Sequence, residues 1–87
     1  MAEFRVVALS ETGASLAMDM PMAVGSRCDL SLNLAQRVVD LAGRVAYVKP
    51  PESGEGPYLV GVDFEGVDEL DAGLLGSFLE EERRRSP

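Results

Sequence analysis

Apolar and polar residues alternate one by one through most of the chain up to about residue 65, where the spacing changes to that of a helix. A period of two sends successive side chains to opposite faces of an extended backbone, so these runs predict half-buried strands. CDLSLNL is the clearest, with Cys28, Leu30, Leu32 and Leu34 on one face and Asp29, Ser31 and Asn33 on the other. GASLAMDM sets Ala14, Leu16, Met18 and Met20 against Ser15, Ala17 and Asp19 before Pro21 and Gly25 interrupt the run. After a break at Ala35-Gln36, VVDLAGRVAYV aligns Val39, Leu41, Val45 and Tyr47 opposite Asp40, Ala42, Arg44 and Ala46. Gly43 falls on the apolar side of that run, where a bulge or bend would divide the strand. YLVGVDF sets Tyr58, Val60, Val62 and Phe64 against Leu59, Gly61 and Asp63, and FRVVAL near the N-terminus makes a short strand.

KPPESGEGP, between the fourth and last strands, carries too much proline and glycine for regular structure and reads as a hairpin tip. Beyond residue 65, Leu70, Leu74, Leu75, Phe78 and Leu79 recur at helical spacing. Asp68 or Asp71 is placed to cap that helix, and Arg83-Arg84-Arg85 suit its negative end. The elements predict a mainly β (α+β) fold in a single domain spanning 1–87. Its core is a small antiparallel β-barrel of about six strands over about 4–65, and a C-terminal α-helix over about 67–84 covers an end or open side.

A chain of 87 residues with 46 % apolar side chains folds as one domain around a thin core. With no histidine and only Cys28, a disulfide within the chain and a His/Cys metal cluster are excluded, and no metal site is expected. Cys28, on the apolar stripe, reads as a small buried apolar residue. The net charge of −7 repels nucleic acid and anionic membrane alike. MAEFRVV lacks the charged and apolar regions of a secretion signal, and no apolar run is long enough to span a membrane, so the expected location is the cytoplasm.

Catalysis would have to fall to carboxylates, serine, lysine or the lone thiol. Asp63 and the following Glu65 read as exposed polar positions at a strand end, and no phosphate loop or dinucleotide fingerprint is present. No catalytic residue is assigned, and the chain is expected not to be an enzyme.

One short stretch is more specific. ALSETGASL places a polar turn between the first two strands, and its Ser10, Gly13, Ala14 and Leu16 fall on the pattern [D/N]-x-S-x-x-G followed by a small residue and an aliphatic strand. This resembles the PilZ family. VGSRCDLSLNL, LAGRVAYV and YLVGVDFEGVDELDAGLLGSFL are similar to the family's later strands and its terminal helix, so the likeness extends over roughly residues 4 to 80.

The resemblance implies a small bacterial β-barrel, and many such domains are receptors for cyclic di-GMP. In those receptors two arginines of an RxxxR motif ahead of the first strand grip the phosphates and stack on guanine, and the [D/N]-x-S-x-x-G turn meets a guanine. By that analogy Ser10 and Gly13 are the candidate contacts for cyclic di-GMP, which is a possible ligand; no other cofactor is implied.

This chain departs from the pattern in two places. Ala8 stands at the acidic or amide position, and within residues 1–87 RxxxR has no counterpart, since Arg5 lies in the first apolar run with Leu9 at the next motif position. Two lost charged hydrogen bonds are worth about 3–6 kcal/mol, or on the order of 10²–10⁴ in affinity. Nothing in the spacing of Arg27, Arg37, Arg44 and Lys49 marks them as substitutes.

The expected function is therefore a non-catalytic PilZ-type adaptor in a signalling or motility pathway. It would dock protein partners through its terminal helix and exposed strand edges, with cyclic di-GMP binding lost or weak. The alternative is a cyclic di-GMP receptor that uses an RxxxR segment outside this chain or atypical contacts. Ser10 and Gly13 also have a purely structural reading, since serine and glycine close tight turns between strands.

Overall fold

Alternating sequences fold here into a sheet with one apolar face, and that face must find cover. The computed structural model describes residues 4–34 and 36–85. Strands β1 (Phe4–Leu9), β2 (Gly13–Met18), β3 (Arg27–Leu34), β4 (Arg37–Lys49) and β5 (Tyr58–Glu65) precede one helix, α1 (Glu69–Arg85). All pairings are antiparallel, in the order β1-β2-β5-β4-β3. The sheet curls so that Leu16, Leu30, Leu41, Val45, Val60 and Val62 from its strands meet in one core with Leu75 of α1. β1 and β3 are its edges and do not pair with each other, so the architecture is a curled half-barrel with a helix. No helix among the described residues is long and apolar enough to cross a membrane.

The mainly β fold with one C-terminal helix is as expected, but the described residues hold five strands where about six were anticipated. β4 does not divide at Gly43. A side chain there would come within 2.5 Å of Val62 Cγ1 and 2.9 Å of the Asp63 carbonyl, so the glycine provides clearance for β5 and the strand runs straight through.

The irregularity lies three residues on. Val45 pairs with Val62 and Tyr47 with Gly61, leaving Ala46 as an extra residue in β4. One inserted residue reverses the alternation downstream. Val48 therefore packs against the core, and Tyr47, expected on the apolar face, projects from the outer one.

Two more apolar positions leave the core. β2 ends at Met18, and Met20 beyond it is 67 % exposed, because the chain bends ahead of Pro21. Leu70, in the first turn of α1, is 71 % exposed, whereas Leu75 is 1 % exposed. Asp68, not Asp71, caps the helix: its Oδ1 accepts the Asp71 N–H at 2.8 Å. At the other end Arg84 bonds Glu80 one turn back at 3.1 Å.

α1 lies across one end of the half-barrel. Leu74 and Phe78 share a hollow with Leu34 and Arg37, and Leu79 shares another with Leu9 and Glu11. β5 ends at Glu65 and α1 begins at Glu69.

Leu75 is the anchor of this lid. Leu75→Ala should lower unfolding stability by about 2–5 kcal/mol, while Leu70→Ala should change it by less than about 0.5 kcal/mol. Urea denaturation of the two variants checks the contrast, and equal effects would contradict the packing described.

Candidate functional site

The turn between β1 and β2 is closed by Ser10. Its N–H donates to the Gly13 carbonyl at 2.9 Å, and its Oγ accepts the N–H groups of Gly13 at 3.1 Å and Thr12 at 3.3 Å. The same hydroxyl lies 3.2 Å from the Gly13 carbonyl and 3.3 Å from Thr12 Oγ1. Thr12 in turn accepts the Phe64 N–H on its carbonyl at 2.9 Å, tying the turn to β5. Serine does this because a short side-chain oxygen reaches its own backbone two and three residues on.

Gly13 meets β5 at contact distance. A methyl group at this position would overlap the Val62 carbonyl oxygen, so the close approach of β2 and β5 requires glycine.

Strand register then lays out the outer face as cross-strand rows. An extra residue at Val7 in β1 shifts the pairing between Val6 and Ala8, so Ala8 lies opposite Ser15. Ser15 is in turn opposite Gly61, and Gly61 opposite Tyr47. The Tyr47 ring occupies the space a side chain at Gly61 would need, and its hydroxyl reaches across to Ser15 Oγ at 2.9 Å. An aromatic laid over a strand glycine in this way restores the packing the glycine lacks. Lys49 places its Nζ 5.4 Å from the centre of the same ring, within cation–π range.

The neighbouring row runs Gly13, Asp63, Arg44, Arg27. Arg44 is committed on both sides: its Nε lies 3.3 Å from Glu65 Oε1, and its Nη1 donates to the Gly25 carbonyl at 2.7 Å. Between the two rows is an open cleft of about 230 Å³ that includes Ser10, Thr12, Gly13, Ser15, Tyr47 and Asp63 in its lining. Among the described residues Asp63 is its one charged lining group.

The family model of the PilZ domain matches residues 2–81. The chain belongs to the PilZ domain family. No curated protein and no solved structure matches it.

Within this PilZ domain the two anticipated contacts, Ser10 and Gly13, line one cleft, and the register adds Ser15, Gly61 and Tyr47 to it. Ser15 and Gly61 lie on the outer face that alternation gave them, whereas Tyr47 joins them only because of the extra residue at Ala46, and a bulge leaves no mark on a pattern of apolar and polar letters. The one legible hint was a glycine in mid-strand at position 61, the kind of site that attracts an aromatic cover. Arg44 lies beside the cleft but is bound elsewhere, and Arg37 sits under α1 with Leu74 and Phe78. Asp63 is exposed on the outer face, as expected.

Cys28 is half-buried on the inner side of β3, and burial, reinforced by the adjacent Asp29 carboxylate, pushes its thiol above the ordinary value of 9.0. No group of three or more His, Cys, Asp or Glu among the described residues could hold a metal ion.

Ser10→Ala should cost about 1 kcal/mol and lower the melting temperature by roughly 4–8 °C, and Gly13→Ala should cost about 1–3 kcal/mol. Thermal melts in the absence of ligand read both, and a Ser10→Ala protein as stable as the parent would contradict the turn-closing role. For Cys28, the folded chain holds its proton above 9.0, so stability should stay level below that pH and fall as pH rises past it. Alkylation by iodoacetamide near neutral pH should be slower in the folded chain than in the chain unfolded by urea.

Proposed function

We propose that this PilZ domain is a non-catalytic adaptor that works in the bacterial cytoplasm by docking on protein partners of a signalling or motility pathway. Its affinity for cyclic di-GMP is lost or weak. The observation that carries this reading is the charge of the cleft beside Ser10, whose one charged lining residue among those described is the carboxylate of Asp63. A like charge about 4 Å from a phosphate costs about 1 kcal/mol even at the dielectric of water. The chain's net charge of −7 adds to the repulsion of a dianionic ligand.

Further features support it. Ala8 offers no hydrogen bond at the position where the family pattern has an acid or amide. The Ser10 hydroxyl is engaged by its own turn, and Arg44 is held by Glu65 and the Gly25 carbonyl. A thiol held in its protonated form, and so a poor nucleophile, supports the non-catalytic part of the reading.

A second reading is a cyclic di-GMP receptor that draws its arginines from outside residues 1–87. The hydroxyls gathered in the cleft and the Lys49 ammonium over Tyr47 favour it.

Calorimetric titration of the chain with cyclic di-GMP separates the two. Absence of saturable heat up to about millimolar ligand is the expected result. Saturation at low micromolar ligand, abolished by a bulky substitution at Ser15, would establish the receptor reading.

A further inference from the structure

α1 covers the end of the half-barrel near Leu9 and Leu34; the opposite end, where β1 begins and β3 is entered, has no such lid among the described residues. An apolar cleft of about 470 Å³ opens there, lined by Phe4 of β1, by Met18, Met20 and Met22 at and beyond the end of β2, and by Cys28 and Asp29 of β3. Three of the chain's four methionines thus border one hollow. β1 and β3, which flank it, are the two unpaired edges of the sheet.

From this arrangement we propose that the seam between β1 and β3 is a docking groove for an extended segment of a partner protein, apolar at alternate positions and carrying lysine or arginine between them. The inference rests on the adaptor reading and names its partner chemistry. An unpaired edge presents a row of backbone N–H and C=O groups, which an extended chain satisfies and a helix cannot. Side chains at every second position of that segment would enter the methionine-lined hollow. Unbranched thioethers adjust to varied apolar shapes, a property used at surfaces that accept more than one sequence.

The charge preference follows from two facts. Asp29 is the one charged residue lining the cleft among those described, and the whole chain is at −7, so basic residues on the incoming strand are attracted and acidic ones repelled. A second copy of this chain would bring the same net negative charge and is disfavoured on that ground.

Selection of random linear peptides displayed on phage against the immobilised chain tests the proposal. Enriched sequences are expected to alternate apolar residues with lysine or arginine. A synthetic peptide of that consensus should shift the methionine methyl signals of Met18, Met20 and Met22 in the NMR spectrum of the parent chain. The paired substitution Met20→Lys and Asp29→Lys, both at exposed positions, should weaken it at least about tenfold.

No enrichment, an acidic consensus, apolar residues at helical spacing, or methionine signals that do not move would each overturn the proposal. Methionine signals that move when the chain alone is concentrated would assign the groove to a second copy and overturn it equally. Should the paired variant fail to fold, the methyl mapping on the parent chain still decides. Tight cyclic di-GMP binding that moves the Ser10 and Gly13 amides while the peptide still binds would overturn the adaptor reading and leave the groove standing.

Discussion

A single five-stranded sheet with one apolar face and one helix to cover it must bend around itself, and most features of this domain are consequences of that bend. Face-to-face burial needs a second layer, which α1 alone is too small to supply. Leu16, Val45 and Val60, all nearly inaccessible to solvent, therefore find cover largely from side chains of the same sheet. Strands that approach this closely leave no room at certain backbone positions, and glycine stands at two of them, facing Val62 from β2 and from β4.

Curvature is produced locally by extra residues, and the two register shifts, at Val7 and at Ala46, have a second effect. Each reverses the alternation of the strand beyond it. The first brings Ala8 to the outer face beside Ser15, and the second brings Tyr47 there, over Gly61. Two residues of the candidate site, Ala8 and Tyr47, are thus aimed by the same irregularities that curl the sheet. A substitution that removed either bulge would be expected to disturb core and cleft together.

This coupling also explains what was legible in the sequence. Alternation identified every strand, and the inward set of β3 and β5 is as the letters imply, because neither strand carries an extra residue between its apolar positions. The motif was legible as a turn because the bonds that close it at Ser10 and Gly13 are local, spanning two and three residues. Tyr47 was misplaced for the opposite reason: its face depends on one residue inserted against a partner strand more than ten positions away. Met20 and Leu70 were assigned to the core by periodicity alone, which continues past the point where an element stops or loses its neighbour. The open seam was likewise hidden, since whether two edge strands meet depends on the total curvature and not on any one segment.

The outer face and the seam differ in how much of their bonding capacity is already used. On the outer face, Ser10 is bonded within its turn, Tyr47 to Ser15, and Arg44 to Glu65 and the Gly25 carbonyl, so polar groups there satisfy one another. A charged ligand would have to compete with these internal bonds and with the Asp63 carboxylate. At the seam most of the lining is apolar: among the described residues Ser31, which donates to Asp40 Oδ1 at 2.6 Å, is the one lining side chain with a hydrogen bond, and an occupant of the hollow between the two strand edges would mainly displace water. Desolvation of apolar surface is worth roughly 25 cal/mol per Å², whereas exchanging one polar contact for another yields little net gain. That difference between the two surfaces is the physical ground of the adaptor proposal and of the groove proposed at the seam.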